Sequence, residues 1–219
     1  MDTREALMEM LVKADRVGAS NLLEQWGAEH GYERLIFDIL DPTLKEIGEQ
    51  WDKKEFSLSQ AYIAAKLYED IIAKIGVKKD KLQPDKGGKG PVVMGNIEDD
   101  FHGLGRRMVT TFLRADEWIV HDLGNDVLPS DFVDRALEVG ARVIGASAMM
   151  YTTAQNIKAL RTEIDRRGLA GKIQLAVGGA VFIIRPELVE EVGGDGTAKN
   201  ALAAPSLFAK LWEQACYEG

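Results

Sequence analysis

Two hydrophobic rhythms divide the chain, and a stretch with almost no apolar residues lies between them. Up to Ile75 the apolar residues recur every three or four positions, the spacing of one helix face. After Pro91 they come in short runs, Val92–Met94, Trp118–Val120, Val143–Ala146 and Ile173–Val177, alternating with amphipathic segments. Such runs read as buried parallel strands joined by right-handed crossover helices. The chain is therefore predicted to hold a helical bundle over residues 1–76, a linker over 77–90 and a doubly wound α/β domain over 91–219.

Within the first part, Ala6, Leu7, Met10, Leu11 and Ala14 form one stripe, with Asp2 and Glu5 spaced as a capping box. Leu22, Leu23 and Trp26 follow Ser20, read as a second cap. Tyr32, Leu35, Ile36, Ile39, Leu40, Leu44, Ile47 and Trp51 make the longest stripe. Asp41-Pro42 interrupts it, either kinking the helix or starting a new one capped by Asp41. Ala61, Ala64, Ala65, Tyr68, Ile71, Ile72 and Ile75 close the set behind Ser57 or Ser59. Each stripe is apolar on one side, so the helices should bundle.

The stretch from Val77 to Gly90 is lysine- and glycine-rich and reads as a solvated linker. Asp80 and Asp85 interleave its lysines and the whole chain carries a net charge of -8, which argues against nucleic-acid binding. One cysteine, Cys216, excludes an internal disulfide and fits a reducing compartment. The N-terminus lacks the basic stretch and apolar core of a signal peptide, and no long uncharged apolar run exists, so a cytoplasmic protein without membrane contact is expected.

Chemistry concentrates at the ends of the strand-like runs. Asp100-Phe101-His102-Gly103-Leu104-Gly105 follows the first, Ser147-Ala148-Met149 ends the third and Gly178-Gly179 ends the fourth. Ligands in open α/β sheets bind beyond the carboxyl ends of the strands, at the topological switch point, so all three segments should meet in one crevice. His102 can donate an imidazole lone pair to a metal, and Asp100 is placed to accept the proton of its other nitrogen. Gly178-Gly179 lets a large ligand approach the backbone. Three other readings fail. In a dinucleotide-binding loop opening at Gly103-x-Gly105 the third glycine is replaced by Met108, and Glu98, Asp99 and Asp100 would repel a pyrophosphate. A phospho-accepting receiver domain needs an aspartate where Ser147 stands. A divalent-metal hydrolase on Glu98, Asp99, Asp100 and His102 lacks ligands from other strands, and three histidines do not favour a His-rich zinc site.

Forty-one residues separate Gly105 from Ser147, and twenty-eight separate Met149 from Gly178. In residue type and interval this resembles the Asp-x-His-x-x-Gly … Ser-x-Leu … Gly-Gly fingerprint of cobalamin-binding domains, with Met149 in place of Leu. The resemblance spans residues 91–219, including His121-Asp122-Leu123-Gly124 and the loop through Gly194 and Asp195, and extends more loosely to the helical half. It implies a flavodoxin-like, Rossmann-type sheet of order 2-1-3-4-5. The cofactor would be cobalamin, with His102 replacing its own base as the lower axial ligand of cobalt. The implied relay is His102–Asp100–Thr153, and a proton taken up there would favour the dissociated ligand at Co(I). The cofactor-binding set would be Asp100, Phe101, His102, Gly103, Leu104, Gly105, Ser147, Met149, Tyr151, Thr152, Thr153, Gly178, Gly179, Ala180, Gly194 and Asp195. Tyr151 stands where the family commonly has a small Thr.

A helical module before the α/β domain resembles the methyl-carrying corrinoid proteins of methyltransferase systems. That likeness implies a carrier with no turnover of its own. A methyl-donor:corrinoid methyltransferase would load it at Co(I), an acceptor methyltransferase would unload methyl-Co(III), and a reductive activase would rescue it. Trp51 and Tyr62 are the candidates for covering the upper face of the cofactor. The alternative is a cobalamin-dependent sensor, whose Trp-x9-Glu-His signature is half missing because Ala61-Tyr62 stands at the pair. A second alternative is the small subunit of a mutase, which needs a catalytic barrel partner.

Overall fold

The structure, a computed structural model, describes residues 2–52, 57–75 and 88–215. The chain divides into two compact units, residues 1–86 with Arg114–Glu117, and residues 87–113 with 118–219. The linker reading for residues 77–87 falls outside the described residues, as does Cys216.

The first unit is helical. α1 (Thr3–Val12) is held at its start by the Glu5 carboxylate, which accepts from the Asp2 N–H at 3.1 Å. α2 (Arg16–His30) has its cap five residues before Ser20, at Asp15, which accepts from the Gly18 N–H at 2.9 Å. The carboxylate meets an N–H group that no helical carbonyl can reach, and Ser20 is left inside the helix. Ala14 adopts a positive φ of 56° between the two helices and is exposed, so the first stripe ends at Leu11.

α3 (Tyr32–Arg34) runs through a π turn (Leu35–Leu40) into α4 (Asp41–Asp52). Pro42 thus neither restarts the helix nor takes Asp41 as a cap, since Asp41 is itself helical. Proline has no N–H to give the ladder. The chain widens just before it, where the Asp41 N–H reaches the Ile36 carbonyl five residues back. The Thr43 hydroxyl then donates to the Ile39 carbonyl at 2.7 Å. α5 (Leu58–Ile75) starts at Ser57, whose N–H donates to Gln60 Oε1 at 2.6 Å while its hydroxyl accepts from the Gln60 N–H. Leu7, Leu11, Leu23, Leu35, Ile36, Leu44, Ile47, Tyr68 and Ile71 are buried, one face per stripe.

The second unit is a parallel sheet in the order β2-β1-β3-β4. β1 (Lys89–Asn96) starts two residues before Pro91, with Lys89 paired to Trp118 of β2 (Trp118–Asp122). β3 (Val143–Ser147) and β4 (Gln174–Gly178) complete it. Alternate residues face two cores. Val93, Ile97, Ile144, Leu175 and Val177 pack with Phe132 and Val133 of α7 (Pro129–Val139) and Leu160 and Ile164 of α9 (Ile157–Arg166). On the other face Val92, Met94, Val120, Val143 and Ala176 meet Leu113 of α6 (Leu104–Ala115) and Phe208 and Leu211 of α12 (Ala204–Gln214). Each fully buried Leu, Ile or Phe here adds roughly 1.5–3 kcal/mol.

Two expectations change. The fifth strand shrinks to a single bridge between Gly196 and Ala176, because Gly194-Asp195-Gly196 has little strand-forming tendency. The amphipathic segment between the third and fourth strand-like runs is likewise not one helix: it is broken at Asn156 into α8 (Tyr151–Gln155) and α9. The Asn156 amide leaves the helix surface to donate to the Glu98 carbonyl at 3.0 Å. α10 (Ala180–Ile184) and α11 (Leu188–Glu191) follow β4.

Candidate functional site

Sheet register brings the three segments together. Asn96 is paired with Ser147, and Ser147 with Gly178, so the ends of β1, β3 and β4 lie side by side. The β1–α6 loop is then tied across the sheet: the Ile97 N–H donates to the Ser147 carbonyl, and the Asp126 N–H to the Asp100 carbonyl. Asp99, at a positive φ of 68°, is held by its N–H to Asp126 Oδ1 at 2.8 Å. A non-glycine residue in that region is strained, and such strain persists only where surrounding bonds impose it.

Asp100 is fully buried at the centre. Oδ1 accepts from Asn96 Nδ2 at 2.7 Å and from the His102 N–H at 2.9 Å; Oδ2 accepts from the Met149 N–H at 2.7 Å and the Thr153 hydroxyl at 2.9 Å. Burial alone would push this carboxyl up. The donors from Met149, His102, Asn96 and Thr153 outweigh it and hold the group below the usual carboxylate range. The expected Asp100–Thr153 contact is therefore present. His102 Nδ1 lies 3.5 Å from Asp100 Oδ1, and 45% of its side chain is exposed. With Nδ1 turned to the carboxylate, Nε2 is the nitrogen left for a metal.

Around His102 the surface is apolar and open: Phe101, Leu104, Met149, Met150 and Tyr151 are all exposed, and the Tyr151 ring lies 5.0 Å from the Arg185 guanidinium carbon. The two glycines after β4 behave differently. Gly179 has φ 120°, and a Cβ there would collide with the Ala148 carbonyl oxygen. A Cβ at Gly178 or Gly105 would meet nothing within 4 Å. Nothing in the protein requires glycine at those two positions, yet a group laid against the backbone there would. Ser147 stands between them at the floor, and Thr152 and Ala180 are exposed at the rim.

Gly194 and Asp195 are not brought to this crevice. Asp195 Oδ2 accepts from the Leu175 N–H at 2.6 Å and from Arg161 at 2.7 Å, near the start of β4. That is three residues, about 10 Å, down the strand from Gly178. In the helical unit Tyr62 is exposed on α5, and the Trp51 side chain lies outside the described residues. Sequence reasoning missed Asn96, Arg106, Asn125 and Asn156. One signal was available: Arg106 shares a helix face with Thr110 and Leu113, where a charge is out of place unless paired.

An exposed imidazole, an ionised carboxylate behind it, an apolar rim and two bare backbone positions make a crevice suited to a large cofactor laid against the backbone. The chain belongs to the B12 binding domain family: the family model matches residues 90–206, and a second B12 binding domain model matches residues 3–75. It is 32% identical to the dimethylamine corrinoid protein of Methanosarcina barkeri over 216 residues, 96% of this chain and 99% of that one. It is 30% identical to trimethylamine corrinoid protein 1 of Methanosarcina mazei over 187 residues, 85% of this chain and 86% of the relative. Its fold is similar to a chain of the methanol:cobalamin methyltransferase complex of Methanosarcina barkeri, with a TM-score of 0.64 at 21% identity, covering 97% of this chain and 84% of that one. Cobalamin is thus the cofactor the crevice fits. Among the described residues, no helix is long and apolar enough to cross a membrane.

Proposed function

We propose that the chain is the corrinoid methyl carrier of a methyltransferase system, working in the cytoplasm and turning over no substrate by itself. The bound cobalamin would supply a cobalt able to accept a methyl group and release it. His102 would be the lower ligand through Nε2, and Asp100 would fix its tautomer and orientation, backed by the Thr153 hydroxyl. Gly105, Gly178 and Gly179 would leave room for the cofactor, with Phe101, Gly103, Leu104, Ser147, Met149, Tyr151, Thr152 and Ala180 lining the crevice. One methyltransferase would load the carrier, a second would unload it, and a reductive activase would restore it after oxidation. Relatives named for dimethylamine and trimethylamine make methylamines the first donors to test.

The observation that carries this reading is Asp100, buried and ringed by four donors beside an imidazole left exposed to the crevice. Reconstituted protein should retain one hydroxocobalamin through gel filtration. After reduction to Co(II) its electron-spin spectrum should show splitting from one nitrogen, which His102→Ala should abolish. Failure to retain cobalamin would defeat the cofactor assignment, and splitting that survives His102→Ala would assign the ligand elsewhere. A carrier should also accept a methyl group with its partner enzyme and keep its assembly under light. Light-triggered dissociation of an adenosylcobalamin-bound oligomer would point to a sensor instead.

A further inference from the structure

Arg106 stands one residue past Gly105 on α6, and only 5% of it is exposed. A buried guanidinium is costly unless its donors are used. Here the fork reaches three acceptors on three segments: Nε donates to Asn96 Oδ1 at 2.7 Å, Nη2 to Asn125 Oδ1 at 3.2 Å, and Nη1 to Asp122 Oδ1. Arginine donates and never accepts, so the carbonyl oxygen of Asn96 must face it. The Nδ2 of the same amide must then face Asp100, where it donates to Oδ1 at 2.7 Å. Turned over, the amide would set its oxygen against a carboxylate. Asp100 Oδ1 is the very oxygen that lies beside His102 Nδ1.

The residue after His102 fits the same brace. A Cβ on Gly103 would meet Arg107 Nη1 and Asn125 Oδ1 at 2.8 Å and Arg106 Nη2 at 3.3 Å. Asn125 also donates through Nδ2 to the Phe101 carbonyl at 3.3 Å, so the brace holds the backbone on one side of His102 as well as the carboxylate behind it. Neither Asn96 nor Arg106 belongs to the spaced fingerprint.

We infer that Arg106 is a positioning residue for the metal ligand: through the Asn96 amide it fixes Asp100, and through Asp100 the His102 imidazole. This rests on the reading of His102 as the lower ligand of cobalt. It adds a second support to that ligand, on the Asp100 oxygen that Thr153 does not hold, built from a buried cation whose donors go to Asn96, Asp122 and Asn125.

The test uses hydroxocobalamin-loaded wild type, Arg106→Met, Asn96→Ala and the double variant, each reduced to Co(II) and measured per bound cobalt. Methionine keeps the apolar stem of Arg106 and removes its donors. Each single variant should shift the balance between His-ligated and His-free cobalt toward the free form by roughly tenfold, the lower end for loss of a supporting partner. The Co(II)/Co(I) midpoint should rise by up to about 59 mV, the one-electron equivalent of tenfold, since the lower ligand stabilises the Co(II) side. The double variant should be no worse than the singles, because both cut one link. If Arg106→Met does not fold, Asn96→Ala, a smaller and neutral deletion, carries the test. Unchanged nitrogen splitting and midpoint in folded, loaded variants would overturn the positioning role, as would effects that simply add in the double variant. A wild-type spectrum without nitrogen splitting would instead defeat the His102 reading, and the relay with it.

Discussion

Asp100 in the sheet unit and Asp41 in the helical unit are both withdrawn from water, yet they end in opposite states. Asp100 has a donor for every lone pair and stays ionised. Asp41 takes a hydrogen bond from Tyr68, but its Oδ1 is buried without a partner, and burial pushes its carboxyl up to about 7. Burial alone therefore does not decide what a buried acid does. The number of donors around it does, and the sheet supplies more because the ends of β1 and β3 and the start of α8 converge on one point. A fixed anion can orient a metal ligand. A half-satisfied acid only makes its unit sensitive to pH.

The sharpest way to break this comparison is to delete the better-satisfied acid. Asp100→Ala strands four donors at once and should cost about 3 kcal/mol or more, read by urea unfolding of the cofactor-free protein. A cost below 1 kcal/mol would mean that the ring of donors is not what holds the loop.

The adjacent glycines separate folding from binding within the same crevice. Gly179→Ala should destabilise by about 1–3 kcal/mol, because φ 120° and the Ala148 carbonyl both oppose a Cβ. Gly178→Val should barely change the melting temperature yet abolish cobalamin retention, since its side chain would fill space that the protein leaves open. Equal thermal losses in both would remove the argument for a ligand at Gly178.

Asp41 gives a smaller effect with a definite sign. Its folded-state value lies above the ordinary 3.8, so its protonated form favours folding. That contribution is complete below about pH 4 and is lost as the pH rises toward 7. Asp41→Asn should accordingly stabilise the protein at pH 8, on the order of 1 kcal/mol, with the gain vanishing near pH 4 in paired thermal melts. A gain independent of pH would contradict the shift. Smallest of all, Tyr62→Ala should change stability by less than about 0.5 kcal/mol because the ring is exposed. A changed visible spectrum of the bound cobalamin would nevertheless support the expectation that Tyr62 reaches the cofactor.

Much of the architecture could be read from spacing. One-sided stripes such as Leu35–Ile36–Ile39–Leu40 imply helices whatever their partners, and the run Val143–Ala146 implies a strand buried on both faces. Local signals were less decisive where two residues competed for one role. Asp15 rather than Ser20 caps α2, and Ser57 rather than Ser59 starts α5, because the cap is the residue whose oxygen lies over a free N–H, which depends on where the preceding chain turns. The π turn before Pro42 was invisible for a similar reason: the missing N–H could be accommodated by a break, a kink or a widened turn, and packing on both sides chose the last.

By itself, the sequence determined the helical first part and the strand-helix alternation after it, the strand ends near which His102, Ser147 and Gly178 lie, and the family to which these intervals belong. Those follow from periodicity and from residue types at fixed separations, which survive any detail of packing. Only the tertiary structure decided that Asn96 and Arg106 stand behind Asp100, that Asn156 leaves its helix to hold Glu98, and that Asp195 turns toward the start of β4 instead of the crevice. Each of those contacts joins residues on different segments, and its existence depends on strand register to within a single residue. A shift of one would turn each side chain to the opposite face, and no local pattern in the chain records that choice.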